Sequence, residues 1–231
     1  MSICNTIFWS SLIILFYTWI GYPFIIYLLT KIKRKPKVPT TPDELPSVSI
    51  IIAAYNEEKV IARRIKNLLE QDYPKEKMEI IVASDGSTDR TVGIAKQYEK
   101  YGVRILDFKQ NRGRAAIQND GVKEAKGEIV VFTDAETEFK KNFLKNITKY
   151  FAENIGCVVG NLIYRPKDNS ISQSEGLYFK FEKKIRELEN RLGILATATG
   201  ACMAVRKNLW KDLTPIDDSD FTTPLDIILQ G

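Results

Sequence analysis

Four short apolar runs separated by amphipathic segments constrain this chain more than any other feature. "SVSIIIAAY", "MEIIVAS", "VRILDF" and "GEIVVFT" are mostly rich in β-branched residues and too short for core helices, so they read as buried strands. Between them, "EEKVIARRIKNLLEQ" sets Val60, Ile61, Ile65, Leu68 and Leu69 on one helical face. "TDRTVGIAKQYEKY" and "GRAAIQNDGVKEA" supply two more helices, the first expected to be capped at Ser87 or Thr88. Such alternation implies right-handed crossovers and a largely parallel sheet covered on both faces. In sheets of this kind ligands sit beyond the carboxyl ends of the strands.

Those four ends read "YNEE", "SDGSTD", "FKQNRGR" and "TDAETE". They bring Tyr55, Asn56, Glu57, Asp85, Asp89, Arg112, Arg114, Asp134 and Glu136 to one crevice. Any one of these has a bland explanation; "SDGSTD" alone is a good turn and helix cap. Four polar ends, three of them acid-bearing, on one crevice are better explained by a ligand. Asp134 and Glu136 flank a single alanine, with Glu138 close behind. Carboxylates gathered at the mouth of a sheet are either fully solvated or hold something positive.

Composition removes several chemistries. There is no histidine, and Cys4, Cys157 and Cys202 are scattered, so common zinc sites and histidine-dependent nucleophiles are excluded or handicapped. Acid–base work falls to carboxylates, lysine or tyrosine, and the odd thiol count suits a reducing compartment. The net charge of +5 comes from 34 Lys and Arg against 29 Asp and Glu. Lys31, Lys33, Arg34, Lys35 and Lys37 account for that whole excess, which leaves no basic stripe for a nucleic acid.

Ile7 to Leu29 carries no charge for roughly two dozen residues, enough to cross a bilayer as a helix. Gly21 and Pro23 are expected to kink it, and Trp9, Trp19, Tyr22 and Tyr27 to anchor it. The cations follow the apolar run, unlike those of a cleaved signal, and place the remainder in the cytosol. The expected organisation is a transmembrane helix at 1–30, a basic, proline-rich linker at 31–46 and a cytoplasmic globular domain at 47–231.

"PSVSIIIAAYNEE", "IVASDGSTDRT", "NRGRAAIQNDGV" and "GEIVVFTDAET", in this order and spacing, resemble the family-2 glycosyltransferases. The resemblance runs from Pro46 to the C-terminus. With the N-terminal helix and "SEGLYFKFEKKIRELENRLGILATATGACMAVRKNLW", it is similar to the membrane-anchored branch of cellulose, hyaluronan and poly-N-acetylglucosamine synthases. It implies an α/β, Rossmann-like A-type glycosyltransferase domain with a mostly parallel sheet, preceded by one transmembrane helix. The implied reaction is inverting transfer of a hexose or N-acetylhexosamine from a UDP-sugar to a glycan or lipid acceptor at the cytosolic membrane face.

The resemblance also implies roles. Tyr55 and Glu57 line the base and ribose pocket, Asp85 accepts a hydrogen bond from uracil, and Arg114 supplies a basic group. Asp134 contacts ribose or metal, and Glu136 binds a divalent cation, Mg2+ or Mn2+; residues two apart on a strand project to one side. Glutamate stands where the family motif has a second aspartate. In "PIDDSDFTTPLDIILQG", Asp220 takes the position of the general base, with Asp217 and Asp218 beside it. "TATGACMAVR" matches the loop and strand on the acceptor side, where Gly200 permits close backbone approach.

The related synthases continue beyond the point matching Gly231, with a further strand, a Q-x-x-R-W-type motif and more membrane helices. The resemblance therefore implies an incomplete catalytic domain, or one completed by a further membrane-embedded segment or subunit. Two other functions fit the residues: a silent UDP-binding or partner-binding fragment, and a polyprenyl-phosphate glycosyltransferase. The latter branch usually lacks an N-terminal span.

Overall fold

The computed structural model describes residues 3–33, 44–151, 154–163, 170–195 and 197–230, and over 170–177 the backbone alone. Residues 34–43 of the expected linker lie outside the described residues, with Arg34, Lys35 and Lys37 of the basic cluster. The chain divides into two compact units, Met1–Lys37 with Ile163–Leu195, and Val38–Leu162 with Ala196–Gly231.

The first unit is helical. α1 (Ile3–Phe16) and α2 (Tyr22–Ile32) are joined by a π-helical turn, Tyr17–Gly21, which ends two residues before Pro23. Proline has no N–H to give the preceding turn, and the widened turn is how the helix absorbs that loss. Together they make 30 residues, about 45 Å of helix, long and apolar enough to cross a membrane. α7 (Ser170–Leu192) belongs to the same unit. Trp19 stacks on Phe181 at 5.5 Å, and the Tyr22 hydroxyl donates to Glu189 at 2.6 Å.

The second unit is the α/β layer that the apolar runs predict. β1 (Val48–Ala54), β2 (Met78–Asp85), β3 (Val103–Phe108) and β4 (Ile129–Asp134) are parallel, while β5 (Cys157–Val159) and β6 (Met203–Arg206) complete a sheet of order β3-β2-β1-β4-β6-β5. β6 runs antiparallel to β4 and to β5. The crossovers carry α3 (Ile61–Leu69), α4 (Thr91–Lys96) and α5 (Arg114–Glu124), followed by α6 (Phe143–Thr148) and, near the end, α8 (Ser219–Leu229).

Strand alternation divides the core in two. Ile50, Ile52, Val82 and Val131 pack with Ile61, Ile65, Leu68 and Leu144 on one face. Ile51, Ile81, Val130 and Phe132 pack with Ile117, Val122 and Ile227 on the other. Burial of each such aliphatic side chain contributes about 1.5–3 kcal/mol, so the layer is held from both sides.

One local expectation is corrected. α4 begins at Thr91, and neither Ser87 nor Thr88 caps it. Asp89 does that work, its Oδ1 accepting from the Thr91 N–H at 2.9 Å and from the Thr91 hydroxyl at 2.5 Å. Ser87 and Thr88 instead tie the β2 loop to Asn56.

Candidate active site

The loops after β1, β2 and β3 are locked to one another through backbone groups. Asn56, at φ 56°, accepts from the Thr88 N–H at 2.8 Å, and its own N–H donates to Ser87 Oγ at 3.1 Å. The Glu57 N–H donates to Thr91 Oγ1 at 2.7 Å. Gly86 has φ +69°, and a Cβ there would lie 2.6 Å from the Asn111 backbone nitrogen, so only glycine lets the second and third loops touch. Tyr55, 50 % exposed, stands free at the tip of β1.

Asp85 closes this assembly from beneath. It is only 6 % exposed, and its two carboxylate oxygens accept from the Arg112 N–H at 2.7 Å and the Gly113 N–H at 2.9 Å. Its first task is thus to fold the "NRGR" loop, leaving one lone pair on each oxygen for a ligand. The Arg112 guanidinium goes to Asp120 and the Phe108 ring. Arg114 goes the other way, Nη2 donating to Asp134 Oδ1 at 3.0 Å. A cation at a helix N-terminus is badly placed against the helix dipole, and Asp134 supplies the compensating anion.

Asp134 is where the charges meet. Burial raises its carboxyl above the usual range against the pull of Arg114, and Asp220 and Glu136 push the same way as burial. Burial likewise raises Glu57, assisted by Glu136, Asp134 and Asp89. The sequence-predicted acids of β1 and β4 therefore share one field. The reason given for Asp134 and Glu136 needs correction, however: β4 ends at Asp134, and Glu136 lies in the turn closed by the Thr137 N–H on the Asp134 carbonyl at 3.3 Å. Turn geometry, not strand alternation, sets their relation.

Asp220 joins this group from α8. Its Oδ2 accepts from the Gly200 N–H at 2.7 Å, and its carbonyl accepts from the Ala198 N–H at 2.6 Å. Asn119 of α5 holds the approaching segment, pairing with both the N–H and the carbonyl of Leu213. The two neighbouring acids have local duties: Asp217 accepts from Thr214, and Asp218 caps α8 by accepting from the Asp220 N–H. Arg114 lies directly on Gly200, where a Cβ would come within 2.1 Å of Nη2. Gly200→Ala should leave the thermal midpoint near that of the parent, because the clashing atoms end a flexible side chain. It should displace the Arg114 guanidinium from the Asp134 carboxylate, the loss of one charge-assisted hydrogen bond.

Among the described residues no three His, Cys, Asp or Glu side chains converge as a ready-made metal cage. That donor set fits Mg2+ or Mn2+ all the same, because these ions take one or two carboxylates and complete their shell with phosphate oxygens and water.

Sequence reading missed Arg64. It occupies the buried stripe of α3 with Ile61, Ile65 and Leu68, and is 1 % exposed. Burial lowers its pKa to about 10, which leaves it cationic at neutral pH. An arginine at an apolar position of an amphipathic helix was the available signal.

A family model described as Glycosyl transferase family 2 matches residues 49–214. The chain is 26% identical over 218 residues to Poly-beta-1,6-N-acetyl-D-glucosamine synthase of Staphylococcus epidermidis, across 92% of this chain and 52% of that protein. It is 30% identical over 190 residues to Beta-monoglucosyldiacylglycerol synthase of Nostoc sp., across 77% of this chain and 41% of that protein. Among solved structures, the mannosyltransferase PcManGT from Pyrobaculum calidifontis, in complex with GDP-Man and Mn2+, matches with a TM-score of 0.76 and 26% identity. That match covers 95% of this chain and 63% of the other. The chain spans about half the length of the curated relatives it matches.

Proposed function

The chain belongs to glycosyl transferase family 2 and has its A-type fold, and from that premise we propose that it transfers a hexose or N-acetylhexosamine from a UDP-sugar to a glycan or lipid acceptor at the cytosolic membrane face, with inversion. The observation that carries this reading is the meeting of Asp134, Arg114, Gly200 and Asp220 at one mouth of the sheet.

Tyr55 offers an aromatic face to the base, and the spare lone pairs of Asp85 suit the imide N–H of uracil. Glu57 borders the ribose. Asp134 and Glu136 would hold the divalent cation, which when bound neutralises charge building on the departing diphosphate. Arg114 moves from Asp134 towards that diphosphate. Asp220 takes the proton from the acceptor hydroxyl as its oxygen attacks the anomeric carbon. The bond from that carbon to the diphosphate breaks, and the nucleotide leaves with the electron pair.

The test is release of nucleoside diphosphate from a panel of donors with Mn2+ or Mg2+, followed by product analysis. No turnover of any donor in the presence of acceptor would sink the reading. GDP-mannose belongs in that panel, since the structure with the 0.76 TM-score holds it, and guanine N1–H suits the same carboxylate.

The membrane arrangement has its own check. With Lys31 and Lys33 on the cytosolic side, Cys4 at the start of α1 faces outward. An impermeant maleimide added to intact cells should label Cys4 alone. Burial raises the Cys157 and Cys202 thiols to about 12, which keeps them unreactive even in lysed cells. Cys4 labelling only after lysis would reverse the topology.

A further inference from the structure

We infer that Arg64, assisted by Asn67, is the positioning residue of the acid-bearing turn after β4, holding Asp134 and Glu136 ready for the cation that the proposed function assigns to them. The assignment to a cation rests on that function; the clamp itself rests on hydrogen bonds.

Both ends of the segment 133–139 are fastened to neighbouring turns of α3. At the near end, Arg64 Nη2 donates to Thr133 Oγ1 at 2.7 Å, one residue before Asp134. At the far end, Asn67 Nδ2 donates to the Phe139 carbonyl and Asn67 Oδ1 accepts from the Phe139 N–H, each at 2.8 Å. Arg64 Nη1 joins the two fasteners by donating to that same Oδ1 at 2.7 Å, and its guanidinium lies 4.0 Å from the Phe139 ring centroid. Thr133 Oγ1 in turn donates to the Ala201 carbonyl at 3.0 Å, which carries the clamp across to the loop containing Gly200. Asp134, Glu136 and Glu138 sit on the stretch so enclosed.

The charge of Arg64 needs its own explanation. It forms no ion pair among the described residues, and its Nε has no hydrogen-bond partner. Removing a guanidinium from water without a bonded carboxylate is costly, and a well-packed apolar residue of similar size is often neutral or better for folding. The anions that compensate this one, Asp134 and Glu138, act at longer range. A fixed positive charge under the turn lowers the repulsion among acids that must stay close together before any cation arrives.

The experiment compares the full chain with Arg64→Met and Arg64→Lys in detergent. Thermal unfolding, amide hydrogen exchange and calorimetry of Mn2+ with UDP are read on each. Arg64→Met should keep its thermal midpoint within a few degrees, yet exchange of amides 135–138 should speed up by about tenfold while β1 amides stay protected. Its affinity for Mn2+ with UDP should fall by about 10- to 100-fold, as when the residues that orient metal ligands are removed. Arg64→Lys should recover part of the affinity, since it keeps the charge, but not the protection, since one ammonium cannot span Thr133 and Asn67 as the fork does. Should Arg64→Met not fold, Arg64→Lys carries the exchange comparison. Parental exchange at 135–138 would overturn the clamp, as would parental Mn2+ and UDP binding in Arg64→Met while Asp134→Ala loses it. If the parent binds neither Mn2+ nor UDP, the functional reading fails and exchange alone decides the clamp.

Discussion

Asp134→Asn is expected to lower nucleotide-sugar turnover by about 10³-fold, the scale seen when a preorganised charge is taken from a developing transition state. Asparagine keeps the size of the side chain and can still accept from Arg114, so the loops should stay in place. What disappears is the anion at the centre of the charge cluster. Stability should not fall with activity. The folded-state pKa of Asp134 is raised, so its ionised form is disfavoured by folding. That cost is absent below the unfolded pKa and grows as pH rises to the folded value, so at neutral pH the neutral asparagine relieves it. The measurement is nucleoside diphosphate release beside a thermal melt. Turnover within tenfold of the parent would remove Asp134 from the mechanism.

Asp220→Asn should lower kcat by about 10²- to 10⁴-fold while donor affinity stays near the parental value. The amide oxygen can still accept from the Gly200 N–H, so the loop at Gly200 keeps its anchor, but the group can no longer take a proton at neutral pH. Asp218→Ala is the natural contrast. It removes the N-cap of α8, costing about 1 kcal/mol of stability, with little change in kcat. Were Asp218→Ala to abolish turnover while Asp220→Asn spared it, the base would have to be reassigned.

Much of the sheet was legible because its determinants are local. The runs at Val48–Ala54, Met78–Asp85, Val103–Phe108 and Ile129–Asp134 are apolar over a strand's length, and the strand–helix rhythm implied that they run parallel. β5 and β6, three and four residues long, carry no such period, and their antiparallel pairing is set by tertiary contacts. The site divides in the same way. Which residues crown the strand ends could be read from "YNEE" through "TDAETE". What each one touches could not. Asp85 is engaged by backbone amides 27 and 28 positions away, and Arg64 by a threonine 69 positions away. Hydrogen bonds of that span leave no periodic trace in a sequence. That Glu136 lies beyond the end of β4 was hidden for the same reason, since whether a strand continues for two more residues depends on what its tip packs against.

The reversal of direction between β4 and β6 has an architectural result. Phe132 pairs with Met203 and Ile129 with Arg206, so one ladder joins a half that contributes Tyr55, Asp85 and Asp134 to a half that contributes Gly200 and Asp220. On the proposed reading, nucleotide recognition and proton removal descend from separate stretches of chain, joined along the β4–β6 ladder. If that reading holds, chimaeras that graft residues 157–230 from a relative onto 48–134 of this protein are expected to take the acceptor choice of one partner and the donor choice of the other.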